Sequence, residues 1–93
     1  MSRQMEAVLM IAENPVIRTH FLAVIDVKRE EINWDDFPYG VLSGGQKAAV
    51  SWVYAIWTDG PVPEGWRDPF EGFGVMNRDL QGTVIKALMH RWG

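Results

Sequence analysis

The chain of 93 residues contains no cysteine, and this absence excludes several kinds of chemistry. Without thiols there can be no disulfide bond, no cysteine nucleophile and no thiolate ligand for a metal ion. Histidine is also scarce, because His20 and His90 are the only two, and neither lies in an H-x-x-x-H or H-x-x-E context. No serine lies in a G-x-S-x-G nucleophile elbow. We therefore predict no catalytic residues, no metal site and no cofactor.

The sequence also lacks a long apolar run and an excess of positive charge. No stretch approaches the roughly 20 apolar residues that a membrane-spanning helix needs. Charged residues at Arg3, Glu6 and Glu13 interrupt the first segment, so no signal peptide is expected. The net charge is −3, whereas nucleic-acid-binding domains usually carry a basic face. We expect a cytoplasmic protein whose main partner is neither a membrane nor nucleic acid.

Apolar and aromatic residues, by contrast, are abundant. They make up 47% of the chain, which contains five tryptophans. A chain of this length forms one domain, and such a domain buries roughly 60–65% of the surface that its unfolded form exposes. We predict a single, mainly α-helical domain over residues 1–93, a small bundle of about four helices with a long ordered aromatic loop.

The two ends of the chain have the clearest helical spacing. Near the start, Ser2 is a candidate N-cap for a first helix, whose face has apolar residues at i, i+3, i+4 and i+7: Met5, Val8, Leu9 and Ala12. Near the end, Asn77 is a candidate N-cap for a helix over residues 78–91. One side of that helix is predicted to hold Leu80, Val84, Ile85, Leu88 and Trp92.

The segment over residues 17–28 is ambiguous between helix and strand. Ile17, Phe21, Val24 and Ile25 have helical spacing, but the same stretch is rich in β-branched residues, which favour strands. A strand needs a partner, and no second convincing strand follows from the pattern. We predict a helix. Asn14-Pro15 either interrupts the run of the first helix or begins this second one, with Pro15 at its first position and Asn14 as its N-cap.

The central helix is predicted over residues 44–57 and should form the core. Ser43 and Gln46 match the S-x-x-Q capping box. The following residues to Trp57 are apolar nearly all round, apart from a narrow polar strip of Lys47 and Ser51. Helices of that kind are usually covered on all sides by the rest of the fold. Gly60 is predicted to end the helix in a left-handed conformation.

The start of this helix contains the most recognisable string of the chain, Leu42-Ser43-Gly44-Gly45-Gln46. It resembles the signature motif of ATP-binding cassette ATPases, whose serine and glycines begin a helix that meets a nucleotide phosphate. No G-x-x-x-x-G-K-[ST] loop accompanies it, so we interpret the match as coincidental.

A helix start can nevertheless bind an anion through its free N–H groups and its dipole. An alternative hypothesis is therefore a small-ligand or nucleotide-phosphate site. It would be formed by Ser43, Gly44, Gly45 and Lys47. The capping box satisfies some of the same N–H groups, and we favour that interpretation.

The long segment between Gly60 and Met76 contains several aromatic residues and is the candidate binding region. Loops of this length are uncommon in compact domains and are often functional. Its aromatic side chains either fold back over the central helix or face outward to bind a partner protein. The candidate partner-binding residues are Trp66, Arg67, Phe70 and Phe73, with Trp34 and Asp36 from an earlier aromatic loop in second place.

The overall composition is similar in style to the small accessory proteins of bacteriophages that infect GC-rich hosts. Six of the nine basic residues are arginine, and alanine, glycine, valine and tryptophan are plentiful. The resemblance implies a non-enzymatic protein–protein interaction module that binds a host protein. A homodimer is a second arrangement that would cover exposed aromatic side chains.

Overall fold

Helices account for most of the chain in the computed structural model, which describes residues 1–93. The five helices are α1 (Arg3–Ala12), α2 (Arg18–Leu22), α3 (Gly44–Thr58), α4 (Pro69–Phe73) and α5 (Arg78–Trp92). The strands β1 (Ile25–Asp26) and β2 (Glu31–Ile32) form a small hairpin, and 3₁₀ turns cover Trp34–Asp36 and Tyr39–Val41. Three helices have ten or more residues and two have five. The prediction of a mainly helical single domain is confirmed.

The core lies where α1 packs against both α3 and α5. The buried side chains include Met5, Val8 and Ile11 on α1, Val50, Val53 and Ile56 on α3, and Leu80, Val84 and Ala87 on α5. Helix α3 also buries Ala48, Ala49, Ser51 and Trp52. Burying an aliphatic side chain of this size contributes about 1.5–3 kcal/mol. None of the helices combines the length and hydropathy of a transmembrane span.

The predicted caps of the three long helices are confirmed. The Ser2 Oγ accepts a hydrogen bond from the Met5 N–H at 3.1 Å. The Asn77 side chain likewise accepts from the Leu80 N–H at 2.8 Å. At the start of α3 both bonds of the capping box are present. The Gln46 amide nitrogen also donates to the Val16 carbonyl at 2.8 Å, which joins this cap to the connection between α1 and α2.

The predicted helix over residues 17–28 is wrong in its second half. The Asn14 Oδ1 accepts from the Val16 N–H at 3.0 Å, as an N-cap before Pro15 would. The helix does not continue from there, because Ile17 has a non-helical φ of −127°, and α2 begins only at Arg18. Beyond Leu22 the chain enters the hairpin, in which Ile25 lies opposite Ile32. Of the β-branched residues in this stretch only Ile25 lies in a strand, and the partner strand is a two-residue segment too short to recognise from the pattern.

The turn of this hairpin contacts the start of α1. Glu30 has a left-handed backbone with φ of 52°, and its carboxylate accepts from the Ser2 N–H at 2.7 Å. This hydrogen bond, together with the Ser2 hydroxyl and the charge of the N-terminus, lowers the pKa of Glu30. The hairpin is thus attached to the helical core through its turn.

Helix α3 differs from its prediction in two places. Ser51, assigned to a polar strip, is fully buried, and its Oγ has no hydrogen-bond partner. Its burial follows from the packing of α1, α4 and α5 around α3. The left-handed residue at the end of the helix is Asp59, with φ of 53°, and not Gly60. Aspartate is one of the few non-glycine residues that adopt this conformation readily.

The long loop after α3 contains the short helix α4, which packs closely against α3. Its N-cap is Asp68, whose Oδ2 accepts from the Glu71 N–H, and Pro69 follows as its first residue. Gly72 is buried against Ala48, so that a Cβ atom at Gly72 would lie 2.6 Å from the Ala48 Cβ. Only glycine permits this distance between the two helices.

We expect Gly72→Ala to lower the free energy of unfolding by about 1–3 kcal/mol, because the added methyl group overpacks the contact with Ala48. Gly82→Ala is the matched control. Gly82 lies inside α5 with open space around it, so alanine should stabilise the protein by about 1 kcal/mol through helix propensity. Urea unfolding measures the change in the free energy of unfolding for both variants. The same change for Gly72→Ala and Gly82→Ala would contradict the close packing of Gly72 against Ala48.

We expect Ser51→Ala to raise the free energy of unfolding by about 1 kcal/mol, because it removes a buried hydroxyl without a partner. Ser43→Ala makes the same chemical change at a capping hydroxyl and should instead cost about 1 kcal/mol. Thermal unfolding followed by circular dichroism would show whether each variant is more or less stable than wild type. Destabilisation by Ser51→Ala would mean that its hydroxyl forms a hydrogen bond.

Candidate functional site

The aromatic residues predicted to bind a partner belong to two groups of ring–ring contacts. Trp66 and Trp34 belong to an aromatic cluster with Tyr39 and Tyr54, whereas Phe70 and Phe73 surround Trp52 on another part of α3. Asp36 and the Arg67 side chain are exposed. Asp36 accepts a hydrogen bond from the Asn33 amide at 2.6 Å. Trp66 and Phe70 line one surface hollow together, whereas Trp34, Asp36, Arg67 and Phe73 do not line it.

The aromatic cluster fixes the loop before α4 to the body of the protein. Trp66 stacks on Tyr39 with ring centroids 4.3 Å apart and an interplanar angle of 5°. It also contacts Tyr54 and Trp34 edge-on, at 5.2 and 6.0 Å. The Tyr39 hydroxyl accepts from the Arg67 N–H at 2.7 Å. Trp66 therefore packs against three rings and is half-buried, while it also lines the edge of a surface hollow.

Phe70 has the opposite character, because its side chain is 78% exposed. The Phe70 ring lies edge-on to Trp52, with centroids 5.0 Å apart and an interplanar angle of 71°. Phe73, one turn further along α4, contacts the same indole at 6.5 Å and is half-buried. Helix α4 thus places one phenylalanine against the core and holds the other at the surface.

An open apolar groove lies beside Phe70, between α3 and α5. Its walls are Trp52 and Ala55 of α3, Phe70 of α4, and Leu88, Met89 and Trp92 of α5, and its volume is about 610 Å³. A second hollow of about 440 Å³ continues from it under the loop over residues 60–70. It shares Trp52, Ala55, Gly60 and Phe70 with the first hollow and is also lined by Trp66. We call these two hollows together the α3–α5 groove.

All the charged residues that line the α3–α5 groove are acidic. Asp59 lies at the C-terminal end of α3 and lines the first hollow. Glu64 and Asp68 come from the loop and line the second hollow. All three are exposed. The groove therefore combines an apolar floor with a negative rim.

The α5 wall of the groove was not predicted correctly from the sequence. Ile85 and Trp92 were assigned to the same side as Leu80 and Val84, but in the structure both are exposed. Ile85, Met89 and Trp92 instead form a second stripe at i, i+4 and i+7. Sorting the apolar residues of α5 into two stripes would have revealed this face. Trp52 and Met89 were likewise not among the candidate site residues.

The proposed anion site at the start of α3 is largely occupied by its own cap. Ser43 Oγ accepts from the Gln46 N–H at 3.2 Å, and Gln46 Oε1 accepts from the Ser43 N–H at 2.9 Å. The N–H groups of Gly44 and Gly45 remain outside this box. The Lys47 ammonium lies 5.5 Å from the centre of the Tyr39 ring. No three histidine or carboxylate side chains converge closely enough to hold a metal ion.

We expect Trp66→Ala and Phe70→Ala to differ in their effect on stability. Trp66→Ala removes a ring that packs against three others and should lower the free energy of unfolding by roughly 2–4 kcal/mol. Phe70→Ala removes one edge-on contact at the surface and should cost less than about 1.5 kcal/mol. Urea unfolding compares the free energies of unfolding of the two variants. A larger loss of stability for Phe70→Ala than for Trp66→Ala would mean that Phe70, and not Trp66, is the main packing residue.

Comparison with known proteins assigns no family to this chain. No protein-family model, curated protein or solved structure matches it. The function must therefore be argued from the groove and the residues that line it.

Proposed function

We propose that the chain is a non-enzymatic protein-binding module whose contact surface is the α3–α5 groove with Phe70 at its edge. The observation that supports this proposal is the 78% exposure of Phe70 beside an open hollow lined by apolar residues. Contiguous exposed apolar patches on small proteins commonly mark interaction sites. Aromatic residues dominate the energetics of such sites.

The proposal gives different roles to the residues predicted from the sequence. Phe70 is the principal contact residue, whereas Arg67, although exposed, lines neither hollow of the groove. Phe73 supports this surface from below by packing against Trp52. Trp66 and Trp34 hold the loop in place from within the aromatic cluster, with Asp36 on the outer side of the 3₁₀ turn.

An aromatic side chain held in this way is well suited to binding. Its edge-on contact with Trp52 restricts the Phe70 ring before a partner arrives. Helix α4 is in turn fixed to α3 at Gly72 and Ala48. A preorganised contact residue loses little conformational entropy when the complex forms, and this raises affinity.

We further propose that the partner is a host protein and that the chain is an accessory factor of the type that bacteriophages produce. This part of the proposal depends on the composition, in which arginine exceeds lysine six to three and tryptophan is frequent. The genes that flank the coding sequence test it directly. Replication, lysis or capsid genes as neighbours would support it, and a neighbourhood of host metabolic genes would contradict it.

The binding proposal is tested by Phe70→Ser with Val41→Ser as the matched control. Val41 lies in the second 3₁₀ turn, away from the groove, and is 77% exposed. Both variants remove a highly exposed apolar side chain and should fold normally. In quantitative affinity capture from the native host, we expect a protein that is retained by wild type and Val41→Ser and lost with Phe70→Ser. Equal recovery by all three proteins would contradict the proposal.

A further inference from the structure

We infer that the α3–α5 groove binds an amphipathic helix that carries lysine or arginine beside its apolar face. This inference rests on the proposed function, because it specifies the chemistry of the partner at the same surface. It follows from the shape of the groove and from the sign of the charges that line it.

The shape of the groove matches a helix. On α3, the lining residues Trp52, Ala55 and Asp59 lie at i, i+3 and i+7, which is one stripe about 10 Å long. On α5 the opposite wall is formed by Leu88, Met89 and Trp92. Two helices with facing stripes form the kind of groove in which amphipathic helices bind, with contact residues at matching intervals.

The position of the groove in the fold supports the same occupant. Helix α1 packs against both α3 and α5, but none of its residues lines the groove. The groove therefore lies between α3 and α5 on a side that α1 does not cover. In a four-helix bundle, a further helix would occupy a position of this kind.

The charges indicate a cationic partner. Asp59, Glu64 and Asp68 line the groove, and no basic residue does. Asp59 also lies at the C-terminal end of α3, where the partial negative charge of the helix dipole adds to that of the carboxylate. An apolar helix with basic residues along its edge would complement both the floor and the rim.

The same charges disfavour a second copy of this chain as the occupant. In a two-fold dimer through the groove, the same surface would face itself. The acidic rim of one protomer would then lie near that of the other, without basic lining residues to oppose it. Like charges that face each other across an interface weaken the complex.

Three labelled peptides of about 18 residues, or five helical turns, test the inference against the full chain. The first has leucine at i, i+3, i+4 and i+7 with lysine elsewhere, the second replaces every lysine by glutamate, and the third scrambles the first. Fluorescence anisotropy measures binding. We expect the lysine peptide to bind the wild-type chain at least about tenfold more tightly than the glutamate or the scrambled peptide does. We also expect Phe70→Ser to weaken the binding of the lysine peptide at least about tenfold.

Two triple charge variants with the same net charge show whether the position of the acidic residues matters for peptide binding, or only the net charge of the chain. Asp59→Asn/Glu64→Gln/Asp68→Asn neutralises the groove, and asparagine suits both the left-handed residue at 59 and the N-cap at 68. The control is Glu13→Gln/Glu31→Gln/Asp35→Asn, at exposed positions outside the groove. We expect the groove variant to bind the lysine peptide about tenfold more weakly, because three ion pairs are lost, and the control variant to bind nearly as wild type does.

Equal binding of the lysine and glutamate peptides, equal binding of the scrambled peptide, or equal effects of the two charge variants would overturn the inference. A dimer in light scattering that Phe70→Ser dissociates would also overturn it, because a second copy would then occupy the groove. The proposed function is judged separately. It survives any of these outcomes if capture of a host protein still depends on Phe70, and it fails if that capture does not.

Discussion

The close approach of Gly72 to Ala48 is the constraint on which the candidate surface depends. It brings the backbone of α4 against α3 at a distance that no other residue at position 72 permits. Helix α4 then has a fixed orientation, in which Phe73 packs on Trp52 and Phe70 lies at the surface beside the groove. A helix of five residues is too short to be stable by itself, so this contact, together with the Asp68 cap, determines where the exposed ring lies.

Trp66 and Phe70 pack against different residues of α3 and have different roles, although only three residues separate them in the chain. Trp66 packs on Tyr54 and Tyr39 and anchors the chain between α3 and α4. Only four residues later, Phe70 is directed to solvent. The packing of Trp66 supports the exposure of Phe70. A loop that is held in place loses little conformational entropy when its exposed side chain binds a partner.

Local signals made part of this fold predictable. The serine and asparagine caps and the S-x-x-Q box depend on neighbouring residues, so the sequence located the starts of α1, α3 and α5 correctly. Features that depend on distant packing were not accessible. The strand at Ile25 required a partner at Ile32. The spacing of the apolar residues on α5 shows two stripes, but which of them stays exposed is set by the packing of α1 against the other. The sequence left open whether the aromatic side chains of the long loop are buried or exposed, and in the structure Phe70 is exposed. Trp52, Met89 and Trp92 come to line the same groove as Phe70 only through the packing of α3, α4 and α5.

The double role of Gln46 has a consequence for which sequences can form this fold. Its side-chain oxygen closes the capping box at Ser43, while its nitrogen donates to the carbonyl of Val16 across the molecule. Glutamate is an equally good residue for a capping box considered alone. Here it would lose the donor and place a carboxylate oxygen against a carbonyl oxygen. Among the residues favoured at this position, only the neutral amide satisfies both neighbours. Gln46→Glu conserves shape and helix preference, but it would still remove the link between α3 and the connection from α1 to α2.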